Sequence, residues 1–424
     1  MHYAKIGFSY REPQAMSQKP SSDTIANELI TYYIPGGVFE LDDEMYRSWG
    51  SGGGISIPYE HSLKYSDALQ RLFEIDKGLQ GSYSFATFEK EVAGWLYPHI
   101  LAKTKVDAEA VKNFFKELAA VPIKDHDVFR PVFGIKLTPK PKATTLGPFT
   151  IYSSNAHLKP VVRGLKPKLK QMFLEEPTPY LIKVTVRSRE YSKAVELADA
   201  QFETFENIVR FMLGPRAIYY ELGILNYQGL TRKRAIVKSP DGVSSSSQKD
   251  RPTLDLELNH AYFKDPKKGF DVIWTKLKSP SNSELSKRLL LAAEWIGQSY
   301  AERVPSSAFI KATIALEILF TPQQGDFVTP SIVSQLSESV ALILGRDVAS
   351  RLQLEADVKR LYKIRSGVAH AGKNDVQGKE LNEIQSLARV IVMKMLTMPS
   401  MRKVSNGIEM YQLFKSIKYR CKPL

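Results

Sequence analysis

The stretch Leu361-Tyr-Lys-Ile-Arg365-Ser-Gly367-Val-Ala-His370-Ala-Gly372-Lys-Asn-Asp375 decides how this 424-residue chain is read. It closes a helical pattern and precedes a break. Leu354, Val358 and Leu361 lie on one stripe, Arg365 takes the next position, and Val368 continues it. Burying a guanidinium without a partner is costly, so an arginine that interrupts an apolar face must meet a carboxylate, an oligomer interface or a phosphate. Glu317, set inside the apolar run Ala315-Leu316-Glu317-Ile318-Leu319-Phe320, is the candidate acid. It either forms a structural ion pair or orients the arginine for a substrate.

His370 follows Arg365 by five positions. An arginine can hold a phosphate and a histidine can move a proton near neutral pH. Spacing alone says little: with 21 Arg and 7 His, about one match at separations of five to seven arises by chance. Gly372 reads as a left-handed stop, and the macrodipole at a helix end favours a protonated ring, so a capping or packing histidine is the alternative. Five helical residues rise about 7.5 Å and turn the two positions about 140° apart. The pair can flank one phosphate only if the helix loosens at Gly367 or a second subunit supplies the other half.

Around this stretch, residues from 281 onward read as helix after helix. Leu285, Leu289, Ala293, Ile296 and Tyr300 make one face. Pro305 and Ser306 begin a second helix with Phe309, Thr313, Leu316 and Phe320. Thr329 and Pro330 cap a third, a fourth runs from about 347 to 369, and Asp375 caps a fifth stopped by Pro399. Short connections make this a bundle over 281–400. A tail over 401–424 comes last, with six Lys/Arg against Glu409 alone.

The first 280 residues read as mixed α and β, with a possible break near 125–180. Leu69, Leu72 and Phe73, then Phe85, Phe88, Val92 and Leu96, then Val111, Phe114, Phe115 and Leu118 mark three helices. Leu181 to Val186 reads as a strand that leads into a helix from about 190 to 213, stopped by Gly214 and Pro215. Residues 217–277 read as strands, 241–252 as a polar loop, Asp125-His126-Asp127 as a solvated turn, and Glu40 to Glu44 as a helix start. The expected fold class is α+β: a mixed N-terminal region followed by an all-α bundle.

The formal charge is +14, spread along the chain: residues 281–424 carry 20 Lys/Arg against 13 Asp/Glu. Such an excess favours a polyanion partner, weakly. The lone Cys421 excludes disulfide frameworks and cysteine zinc sites within one chain. No apolar run approaches a membrane span, and the N-terminus lacks a signal-peptide core, so a cytoplasmic protein without a membrane partner is expected. No nucleophile elbow, zinc-protease helix or dinucleotide fingerprint is present.

The segment 305–398 resembles a HEPN domain of the Apea-like kind. The run 315–320, the stretch Leu361 to His370 and a closing helix carry the resemblance, whose hallmark is Arg, four to six residues, then His, late in a helical bundle. It implies a HEPN-like bundle acting as a metal-independent endoribonuclease with no cofactor, whose two Arg/His motifs meet in a homodimer. His370 and Arg365 would be catalytic, with Glu317, Tyr362 and Asn374 supporting them and Lys363, Lys373 and Arg360 contacting RNA. Many relatives are toxins or antiphage effectors, which would make residues 1–280 a sensor for a phage-derived or protein trigger. HEPN toxins paired with a nucleotidyltransferase often carry Tyr two residues after the His; here that position is Gly372, so regulation by modifying such a Tyr is not supported.

Overall fold

Three apolar faces at helical spacing between residues 62 and 120 build the first core. The computed structural model describes residues 20–35, 45–49, 54–139, 141–154, 180–225, 233–239, 242–248, 254–320, 332–371 and 375–420, with single positions between 159 and 171. Of 45–49, 233–239, 242–248, 370, 371 and 420 it describes the backbone. The fold is α+β, and contacts divide the chain into two units, Met1–His126 with Val186–Glu196, and Asp127–Thr185 with Leu197–Leu424.

In the first unit the helices are α1 (Ser22–Tyr32), α2 (Ser62–Phe73), α3 (Lys77–Gln80), α4 (Phe85–Ala102) and α5 (Ala108–Ala120). Strands β1 (Ile34–Pro35), β2 (Met45–Trp49) and β3 (Ile55–Pro58) form an antiparallel sheet in the order β1-β3-β2. Leu29, Leu69, Leu72, Phe88, Val92, Leu96, Val111 and Phe114 share one buried core. Ser84 and Asp107 start α4 and α5 by accepting from Thr87 N (3.2 Å) and Ala110 N (2.8 Å), which satisfies amides the helix cannot reach. The expected helix start at Glu40 to Glu44 lies outside the described residues, and the chain next forms strand β2, from Met45.

The expected turn at Asp125-His126-Asp127 is instead part of strand β4 (Lys124–Val132). Its charges are matched by cations on β8 (Tyr180–Ser188): Asp125 lies 3.4 Å from Arg187, and Asp127 accepts from Lys183 Nζ (3.0 Å) and Thr185 Oγ1 (2.6 Å). Opposite charges across strands stabilise a sheet, so an acidic run need not be a turn.

The sheet of the second unit has the order β4-β8-β7-β6, with β6 (Ala143–Leu146) and β7 (Phe149–Ser153). Helix α6 (Tyr191–Leu213) buries Phe202, Phe205, Ile208 and Val209. Phe205 packs on Phe149 (4.9 Å between centroids) and Trp274 (5.8 Å). Short strands β5 (Ile135–Lys136) and β11 (Leu256–Glu257) pair in parallel.

Two expectations between 217 and 280 are corrected. The polar loop contains a strand: β9 (Lys233–Ser239) and β10 (Gly242–Gln248) pair antiparallel from Ser239↔Gly242 outward. The last strand-like segment is helix α7 (Phe270–Lys278), since Phe270, Ile273 and Trp274 recur at helical spacing and are buried together.

The rest of the unit is a helical bundle: α8 (Glu284–Ala301), α9 (Pro305–Phe320), α10 (Ile332–Leu344), α11 (Val348–Ala371), α12 (Gly378–Thr397) and α13 (Gly407–Arg420). Helix α9 is central, touching α8, α10, α11 and α12, while α13 rests on α10. Leu289, Ile296, Phe309, Leu316, Val340, Leu361, Ile384 and Ile391 are buried among these helices. A buried polar link crosses the bundle: Ser299 Oγ donates to Ala308 O (2.7 Å), and Gln385 Nε2 donates to Ser299 Oγ (2.9 Å). The expected cap Asp375 is replaced by Gln377, which exchanges bonds with Glu380 in a capping box. Thr329 and Pro330 lie outside the described residues. Among the described residues no helix is long and apolar enough to cross a membrane.

Candidate functional site

Glu317 sits where α9 faces α11. Its neighbours Leu316 and Leu319 are fully buried, so the carboxylate is held against the bundle and needs partners. Arg365 and Tyr362, one helical turn apart on α11, both reach it. Arg365 Nε lies 3.1 Å from Glu317 Oε1, close enough for charge attraction but out of line for a hydrogen bond. Arg365 Nη2 donates to Oε2 at 3.5 Å, and the Tyr362 hydroxyl donates to Oε1 at 3.2 Å. Burial, and then the charge of Glu317, push the Tyr362 phenol upward, so it stays a neutral donor.

Helix α11 runs unbroken from Val348 to Ala371, so the backbone does not loosen at Gly367. Arg365 and position 370 therefore stay about 140° apart around the axis. Arg365 shares the inner face with Val358 and Leu361, both buried. By the same periodicity, position 370 is in register with Lys359, Lys363 and Ser366, all exposed. The helix thus separates an inner arginine from an outer face that carries two lysines and the position of the histidine.

No protein-family model matches the chain, and neither a curated protein nor a solved structure does.

Of the residues singled out from the sequence, Arg365, Glu317 and Tyr362 come together. The imidazole of His370, together with Lys373 and Asn374, lies outside the described residues. Arg360 is engaged by Glu383 on α12, and this hydrogen bond is the main cause of its raised pKa. Lys363 is exposed. Lys359 joins it on that face and pairs with Glu355 at 3.2 Å. Sequence reading passed over Lys359, although its four-residue spacing from Lys363 carried the signal. Among the described residues no group of three or more His, Cys, Asp or Glu side chains is placed to hold a metal ion.

Proposed function

We propose that the protein is a HEPN-type endoribonuclease that works as a homodimer, acting as a toxin or antiphage effector whose N-terminal region answers a trigger. The observation that carries this reading is Arg365, a guanidinium set into the inner face of α11 and steadied by Glu317 and Tyr362, five residues before His370 on the same helix. A pre-oriented arginine can offset charge gathering on phosphoryl oxygens. His370 would take the proton from a ribose 2′-OH, or give one to the departing 5′-oxygen. The 2′-oxygen attacks the adjacent phosphorus and the bond to the 5′-oxygen breaks. The products are a cyclic phosphate and a 5′-hydroxyl, and RNA brings the nucleophile itself.

The 140° between Arg365 and position 370 favours a composite site. Arginine from one chain and histidine from another can address one phosphate, whereas one unbroken helix separates them. The lysine face at Lys359 and Lys363 supplies backbone attraction. The test is cleavage of labelled RNA in EDTA by the wild type, His370→Ala and Arg365→Ala. Loss of cleavage in both variants, and its recovery when the two are mixed as heterodimers, is the expected result. Equal cleavage by all three overturns the reading.

The ion pair itself favours a second reading, in which the bundle is a non-catalytic dimerisation or nucleic-acid-binding module and Arg365 serves stability alone. That reading expects His370→Ala to leave every function intact.

A further inference from the structure

Helix α13 has two unlike faces. Met410, Phe414 and Ile417 recur at helical spacing and are buried, with Phe414 against Phe320. The opposite face carries Ile408, Tyr411, Lys415 and Tyr419, spaced 3, 4 and 4, which places them on one stripe. Large aromatics seldom stand that far into solvent, yet Tyr411 is 66% and Tyr419 70% exposed. No described ring packs on either, although Lys418 Nζ lies 6.0 Å over the Tyr419 ring, and Lys415, one turn from each, makes no ion pair among the described residues.

Among the described residues, Arg402, Lys403 and Lys415 have no ion-pair partner. Glu409, the one acid after residue 400, is turned into the cap of its own helix. It accepts from Ser405 N (2.7 Å) and Asn406 Nδ2 (3.0 Å). Arg402 and Lys403, in the turn before α13, are exposed. Lys418 is spent on Glu338 at 2.6 Å.

We infer that the outer face of α13 is a contact for single-stranded RNA, on which Tyr411 and Tyr419 stack unpaired bases and Lys415 meets the phosphate between them. Alternating aromatic and basic groups suit this ligand because every base has a π-face and every linkage a charge. A second copy of the chain is a poorer occupant: a two-fold pairing of this face centred on Lys415 sets lysine against lysine. The choice of RNA rests on the ribonuclease reading, and the stripe would act as a clamp remote in sequence from Arg365.

The test uses the full chain carrying His370→Ala, so that RNA stays intact, and measures anisotropy of a labelled unstructured RNA oligonucleotide. Adding Tyr411→Ala with Tyr419→Ala should weaken binding about tenfold or more. Tyr411→Phe with Tyr419→Phe should not, since stacking needs the ring and not the hydroxyl. Lys415→Gln should weaken binding and lower the salt dependence by about one phosphate contact. Duplex RNA, with its bases already stacked, should compete poorly. Unchanged affinity in the double alanine variant overturns the inference. So does failure of the parent to bind, or a shift in oligomeric state without loss of RNA binding. If affinity falls as expected while the wild type cleaves nothing, the ribonuclease reading fails and the contact stands. If the wild type cleaves and the tyrosine variants bind normally, the contact fails and the ribonuclease stands.

Discussion

Arg365 Nε lies 3.1 Å from Glu317 Oε1 but points out of line with it, while Tyr362, one turn earlier, donates to the same oxygen at 3.2 Å. One carboxylate therefore serves two neighbours on the facing helix, and one of them is only partly satisfied. The two charged side chains are 26% and 23% exposed, so water screens the pair only in part.

Removing that carboxylate should strand both partners. Glu317→Ala is expected to destabilise the protein by about 1–3 kcal/mol, the cost of leaving partly buried donors unpaired. Glu317→Gln should cost less, because its amide oxygen can still accept from Tyr362. The urea midpoint measures both. A Glu317→Ala midpoint equal to the wild type would mean the cluster contributes nothing to stability.

Helices α6 and α8 meet at Gly297 without room for a side chain. A Cβ there would overlap the Asn207 carbonyl, which is backbone and cannot swing away. Gly297→Ala should force the two helices apart at a cost of about 1–3 kcal/mol or more. Gly94→Ala on α4, where a Cβ meets nothing within 4 Å, is the control: it should be neutral or slightly stabilising in a thermal melt.

Two carboxylates should give opposite pH responses. Burial raises the pKa of Glu294 on α8, with Glu203 adding to the rise and the Thr204 hydrogen bond opposing it. A carboxyl that holds its proton longer when folded favours the fold at low pH, and that contribution is lost as pH rises through its folded pKa. Glu294→Gln should therefore be more stable than the wild type at neutral pH. Glu190 behaves in reverse. Burial alone would raise its pKa, but hydrogen bonds from Ser84, Ser192 and Lys193 outweigh it and the net shift is downward. Its stabilisation is present above the ordinary carboxylate pKa and is lost as pH falls through the folded value. Glu190→Gln should flatten the acid limb of a melting-temperature profile.

What the sequence disclosed depended on contrast along the chain. Phe88, Val92 and Leu96, or Leu289, Ala293 and Ile296, stand out against polar neighbours at helical spacing, and the helices lie where that spacing puts them. Arg365 and Glu317 were legible for the converse reason, as charges interrupting apolar faces. Residues 242–248 carry no such contrast. Four consecutive serines form a strand because β9 pairs with them, a partnership that local pattern does not encode. Asp125 and Asp127 read as a turn because their cations, Arg187 and Lys183, lie far along the chain.

A last pair of variants should move stability in opposite directions within one neighbourhood. Arg389 on α12 donates from Nε to Phe211 O (2.8 Å) and from Nη2 to Met212 O (2.7 Å), closing the last carbonyls of α6. Gly214, at φ +61°, keeps that space open, because a Cβ there would meet the guanidinium. A lysine has one nitrogen and no fork, so Arg389→Lys loses one of two charge-assisted hydrogen bonds, with Met212 O still accepting from the Tyr262 hydroxyl, and should cost about 1–3 kcal/mol. Tyr300 on α8 is the opposite case. Its hydroxyl is buried without a hydrogen-bond partner among the described residues. Burial pushes its pKa from 10.0 up to about 12, with Arg389 pulling the other way. Tyr300→Phe removes an unsatisfied group and should be neutral or stabilising at pH 7. Because the folded phenol keeps its proton longer, wild-type stability should fall as pH rises from 10.0 toward about 12, and Tyr300→Phe should remove that part of the decline. Chemical denaturation at neutral and alkaline pH reads both effects, and a destabilised Tyr300→Phe would show that the hydroxyl has a partner in solution.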